Sequence, residues 1–119
     1  MRTLAQVALL VVALSAPGRA EESAVEALYS RCEGCHPLDH NGNGPMLGQL
    51  FGRTAGSVKD FDYSAAFSVL TLHWDDRTLD RFLADPQRFA PGNTMNFRGI
   101  DNAAERHALI ALLHRVLQN

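Results

Sequence analysis

Five residues, Cys32-Glu33-Gly34-Cys35-His36, constrain this chain more than any other stretch. A C-x-x-C-H run is the attachment signature of a covalently held, c-type haem. Each thiol can add across one haem vinyl group, and the histidine after the second cysteine is placed so that an imidazole nitrogen reaches the iron. Two intervening residues let a short helical turn present both sulfurs to one edge of a flat porphyrin, while the next residue projects over its face. Three other uses of the cysteines compete with this one. A thioredoxin-like redox pair belongs beside a strand of a βαβ unit, whereas Ser23 to Arg31 has the pattern of a helix. A structural zinc site needs a second ligand pair, and the chain has no further cysteine. A disulfide between Cys32 and Cys35 leaves His36 without a purpose.

The first twenty residues have the layout of a secretory signal peptide. Arg2 precedes an apolar run from Val7 to Leu14, and small residues at Gly18 and Ala20 suit a peptidase cutting before Glu21. The apolar run is shorter than the ~20 residues of a spanning helix, which disfavours an uncleaved anchor. The expected division is therefore a leader over 1–20 and one domain over 21–119, exported to a bacterial periplasm with no stable membrane insertion after cleavage. Without Arg2 and Arg19 the chain keeps 9 basic against 13 acidic residues, a net charge of −4. That balance excludes a nucleic-acid partner, which selects strongly basic surfaces. About a hundred residues bury a modest core, so a prosthetic group would supply much of the apolar contact.

Helical periodicity places the elements. Ser23-x-x-Glu26 has the form of a capping box, with Ala24, Leu28 and the adjoining Val25 as an apolar stripe up to Arg31. From Pro37 to Pro45 the chain is dense in turn formers, and His40 within it is expected at the surface. Phe51 to Gly56 continues the loop, and a short helix follows over Ser64 to Leu70. Trp74 precedes Asp75-Asp76, which suit a helix N-terminus; that helix runs to Ala84 with Leu79, Phe82 and Leu83 on one face and ends before Pro86. Phe89 to Phe97 is a loop rich in large apolar side chains, suited to covering the second face of a haem. The last helix runs from Asp101 or Asn102 to Leu117, burying Leu109, Leu112, Leu113 and Val116 and leaving His107 and His114 on its polar side.

In order along the chain, C-E-G-C-H at 32–36, G-P-M-L-G-Q-L-F-G-R at 44–53, Tyr63, Trp74 before a helix, and D-P-Q-R-F-A-P-G-N-T-M-N-F-R-G-I at 85–100 resemble a class I cytochrome c of the mitochondrial cytochrome c and bacterial cytochrome c2 group. The resemblance covers nearly all of 21–119. It implies an all-α fold, the small cytochrome c fold, with four to five helices around one covalently attached haem c. Cys32 and Cys35 would form the thioethers, and His36 and Met95 the axial iron ligands. Pro45 would hold His36; Arg53, Tyr63 and Trp74 would gather around the inner propionate; Phe97 would shield the haem near Met95; the first and last helices would cross through Ala24 and Leu28 against Leu109 and Leu112. Three departures stand out. The loop between His36 and Gly44 is short, Phe82 stands where the group usually has a tyrosine near the methionine sulfur, and a lysine ring is missing because Lys59 is the single lysine.

The expected function is that of a soluble periplasmic one-electron carrier, monomeric and not an enzyme. Its redox partners would be a donor dehydrogenase or reductase complex and an acceptor oxidase, reductase or reaction centre. The competing classes are a haem enzyme or gas-binding sensor, peroxidase-like or NO-binding, and a dedicated electron-accepting subunit of a dehydrogenase. Against the first of these, the chain offers no distal histidine and arginine at a plausible spacing.

Overall fold

Among the described residues five helices carry the fold and there is no strand, only an isolated antiparallel bridge between Thr54 and His73. The computed structural model describes residues 10–11 and 18–118. The helices are α1 (Gly18–Glu33), α2 (Ala65–Ser68), α3 (Asp76–Ala84), α4 (Pro86–Phe89) and α5 (Ala103–Leu117). α5 is the centre: it packs against both α1 and α3, and α3 continues onto α4. The all-α expectation holds.

α1 departs from its expected start. It begins at Gly18, so Ser23 lies within the helix and does not cap it. Alanine and glutamates from Ala20 to Glu22 favour helix, and Glu21 in the first turn suits the positive end of the helix dipole, which extends the helix upstream. The expected cut before Glu21 falls in this first turn, while most of the expected leader lies outside the described residues. The buried side chain of α1 is Val25; Leu28 is half-buried against the core, whereas Ala24, expected at the crossing with α5, is exposed.

The other helices keep their expected places with shifted ends. Ser64 precedes α2, which stops at Ser68, and a turn from Leu70 N–H to the Phe67 carbonyl follows (3.1 Å). Asp75 caps α3 by accepting the Thr78 amide at 2.8 Å, while the Thr78 hydroxyl accepts from the Asp75 amide at 2.9 Å. Proline at the first position of α4 explains that unforeseen helix: its ring pre-sets the backbone angle, and Asp85 caps it by accepting from the Arg88 amide at 3.1 Å. Asn102 caps α5 through the Glu105 amide at 3.2 Å. On α5 the buried set is Leu109, Ile110, Leu112 and Leu113, with Val116 only partly covered. Ile110 joins because α5 is packed from two sides, which widens its buried arc beyond a single stripe.

Candidate haem site

The C-x-x-C-H run closes the end of α1. Two backbone bonds onto the Cys32 carbonyl, from the Cys35 amide at 3.1 Å and the His36 amide at 2.9 Å, wind it into a tight turn. Both thiols are free: Cys35 is exposed and Cys32 half-buried. Burial pushes the Cys32 thiol above its ordinary value, with Arg31 opposing. The short loop after His36 folds back on this turn, with the Gly44 amide donating to the Cys35 carbonyl (2.8 Å) and the Leu47 amide to the Pro37 carbonyl (2.9 Å).

That fold-back brings the Pro45 carbonyl within 2.8 Å of His36 Nδ1. The carbonyl can only accept, so Nδ1 carries the hydrogen and Nε2 is left with its lone pair. Burial holds His36 below the usual histidine range, outweighing the Pro45 bond that favours the charged form; Arg53 adds to the lowering. The ring is therefore neutral at pH 7, as a metal ligand must be. Gly44 is a close approach: an ideal Cβ there would overlap the imidazole.

Arg53 and Trp74 are joined through the backbone, by Trp74 N–H to the Arg53 carbonyl (2.9 Å) and Gly52 N–H to the Trp74 carbonyl (2.7 Å). The Arg53 guanidinium donates through Nη1 to the carbonyls of Met46 and Gly48, both at 3.0 Å, while the Tyr63 hydroxyl accepts from the Val58 amide at 3.1 Å. Burial pushes Arg53 down from its ordinary value, with Tyr63 opposing. Among the described residues two buried groups find no protein partner, Arg53 Nε and the Ser64 hydroxyl. Buried donors are rarely left so, and an acidic acceptor such as a haem propionate would suit each of them. With free thiols at C-x-x-C-H and a neutral, oriented imidazole, the residues present fit a covalent haem.

Met95 and Phe97 are half-buried and pack against the core, with Phe97 N–H donating to the Met95 carbonyl at 2.9 Å and Arg31 lying 5.2 Å over the Phe97 ring. Phe82 is buried in an aromatic group, its ring centroid 5.3 Å from Trp74 and 5.6 Å from both Phe67 and Phe89. No hydroxyl comes from position 82. The remaining histidines stand apart. His40 is exposed beside Asp39 and His73 meets Thr54. His107 is exposed, 3.7 Å from Asp80. His114, expected on the polar side of its helix, is instead half-covered: its ring stacks on Phe51 at 3.7 Å and meets Asp76 Oδ1 at 2.6 Å, joining α5 to α3. Sequence reasoning missed Asn93, the one buried polar residue among those described, whose amide oxygen accepts the Met95 N–H at 3.0 Å. The available signal was weak, because Asn93 is one of three polar residues, with Thr94 and Asn96, in the stretch from Phe89 to Phe97.

No protein-family model matches the chain. Among individual proteins, it is similar to cytochrome c2 iso-2 of Magnetospirillum fulvum, 40% identical over 87 residues that span 71% of this chain and 91% of the relative. Cytochrome c2 of Rhodomicrobium vannielii is 36% identical over 109 residues, 89% of this chain and 87% of that one. Among solved structures, cytochrome cH from Methylobacterium extorquens superposes with a TM-score of 0.73 at 34% identity, covering 78% of this chain and 96% of the other.

Proposed function

We propose that this chain, which belongs to the cytochrome c family, is a periplasmic one-electron carrier with His36 and Met95 as the axial ligands of its iron. Its family fixes the coarser statements: the chain is an electron carrier and not an enzyme, holds one haem c, and exchanges electrons with partner redox proteins. The bound haem supplies an iron that accepts and returns one electron. Cys32 and Cys35 would hold it by thioethers. His36 offers Nε2 while Pro45 keeps the hydrogen on Nδ1 and stops the ring from turning; this 2.8 Å contact is the observation that carries the reading. Met95 would offer a soft thioether from the loop after α4, Phe97 and the Phe82 group would exclude water around it, and Arg53 and Ser64, whose buried Nε and hydroxyl lack a protein partner, would donate to propionate oxygens, with Tyr63 and Trp74 as the further residues proposed there. Two strong ligands, retained in both oxidation states, would let the electron move with little rearrangement of the protein.

Export is supported by Arg2, the Val7–Leu14 run and the small residues before Glu21. Among the described residues no helix is long and apolar enough to cross a membrane. The partners proposed are a donor dehydrogenase or reductase complex and an acceptor oxidase, reductase or reaction centre, served by a monomer. Absorption spectra test the ligation: the ferrous protein is expected to bind carbon monoxide negligibly, and the ferric protein to bind cyanide slowly, at neutral pH. Rapid binding of either would favour a haem enzyme or gas-binding sensor instead.

A further inference from the structure

We infer that Asn93 is the positioning residue of Met95 and that Gln87 braces it, two amide side chains locking the turn over 91–95 and so setting how readily the methionine yields its place to another ligand. The inference rests on the Met95 ligation proposed above.

Asn93 is 6% exposed, and a buried side-chain amide has to satisfy both its ends. Its Nδ2 donates to the carbonyls of Pro86 and Ala90, both at 2.9 Å, and its Oδ1 accepts the Met95 amide at 3.0 Å. The orientation of the amide is dictated by these partners: two are carbonyls that can only accept and one is an N–H that can only donate. The backbone of the same residue is held as well. Its N–H donates to the Ala90 carbonyl at 3.1 Å, and its carbonyl accepts from Gln87 Nε2 at 2.9 Å. Gln87 uses its other end on the Gly92 amide, at 3.3 Å.

The consequence is local and directional. Methionine is unbranched, with three rotatable side-chain bonds, so its own packing defines its sulfur position weakly. A bond from the Met95 N–H to an asparagine two residues earlier is an Asx turn, which fixes the intervening backbone and hence the direction in which the Met95 side chain leaves it. Asn93 ties that turn to the buried Pro86 and Ala90, so α4 becomes the anchor of the methionine loop. None of these bonds reaches α1 or α5. Cutting them should loosen Met95 without opening the main core.

The test uses the haem-loaded full chain and three variants, Asn93→Ala, Gln87→Ala and, as a control of mild core destabilisation, Ile110→Val. Imidazole displaces methionine from ferric iron, and the loss of the methionine-to-iron charge-transfer band gives its rate; hydrogen exchange of the Met95 amide reports the turn directly. Asn93→Ala is expected to raise both by ~10- to 100-fold and Gln87→Ala by several-fold. Ile110→Val should lower Tm and leave both unchanged. Because Gln87 is exposed, its variant keeps the test open should Asn93→Ala fold poorly. Rates for Asn93→Ala and Gln87→Ala within twofold of wild type overturn the assignment. Met95→Leu separates the two levels: a wild type without the band, or a Met95→Leu protein that keeps it, removes the ligation itself. A band that Met95→Leu abolishes and Asn93→Ala leaves undisturbed, with unchanged rates, removes only the role of Asn93.

Discussion

At position 44 there is no room for even a methyl group, since an ideal Cβ would overlap the His36 ring, with Nε2 only 2.7 Å away. In Gly44→Ala the ring or the loop must shift, and the cheapest shift breaks the Nδ1 contact with Pro45, the bond that leaves Nε2 free. Overpacking of this kind costs about 1–3 kcal/mol, or at least ~4 °C in Tm for a domain of this size. The expected outcome is that loss of stability together with a shifted midpoint potential, read by thermal unfolding and by redox titration of the haem-loaded protein. An unchanged potential with a normal Tm would mean that the loop absorbs the methyl group without disturbing His36. Residues of this kind differ in how legible they are. Cys32, Cys35 and His36 announce themselves because thioether chemistry needs side chains of those types at that spacing. Pro45 acts through a backbone carbonyl, which every residue has, so only resemblance could single it out. Asn93 was invisible for a related reason: an asparagine after Pro91-Gly92 has the look of an ordinary turn residue until its burial is known.

At the scale of elements, α3 and α5 start where their caps are expected, whereas α1 and the short α4 do not follow expectation. α3 starts where Asp75 and Thr78 bond reciprocally, and α5 starts where Asn102 accepts from Glu105, both within a residue of expectation. α1 begins upstream because the stretch before Ser23 is itself helix-forming, and nothing at Ser23 stops a helix. The short α4 leaves too few residues for periodicity to register. The α3 cap also carries a pH dependence. Bonds from the Thr78 amide and then the Thr78 hydroxyl hold the Asp75 carboxyl below its usual range. Between its folded and unfolded values the unfolded chain binds more protons, so stability rises with pH there. The contribution of the cap is fully present above the ordinary aspartate value of ~3.9 and is lost as pH falls through the lower, folded one. Asp75→Asn keeps an oxygen for the Thr78 amide but removes the titration. Its Tm profile is therefore expected to be flatter than wild type below pH ~4, measured by scanning calorimetry across the acid range; parallel profiles would assign the acid sensitivity to other carboxylates.

Taken as one molecule, the chain has almost abandoned amines. Of the nine basic residues after position 20, eight are arginines. Several do work that suits a planar fork: Arg106 donates to Asp80 and to the carbonyls of Ile100 and Asp101, Arg53 to Met46 and Gly48, and Arg31 and Arg81 lie over the rings of Phe97 and Phe89. This has a consequence for the proposed ligand set at high pH, where a deprotonated lysine amine can compete with a thioether. The loop from Asp85 to Gly99 holds Gln87, Arg88, Thr94 and Arg98 but no lysine. Arginine cannot take that part, because its guanidinium keeps its proton to a pKa above ~12 and offers no lone pair. The single lysine, Lys59, lies in a different loop, and its backbone is held there by a bond from Asn41 Nδ2 to the Lys59 carbonyl at 3.0 Å. Bringing its amine to the iron would require that loop to come away as well as the methionine loop to open. Met95 ligation is therefore expected to persist well into the alkaline range, with any later form carrying hydroxide or another non-lysine ligand. A pH titration of the methionine-to-iron charge-transfer band in wild type and Lys59→Ala decides this. Coincident curves are the expected result; a low-spin alkaline form present in wild type and lost in Lys59→Ala would show that Lys59 does reach the iron and that its loop is far less firmly held than its bond to Asn41 implies.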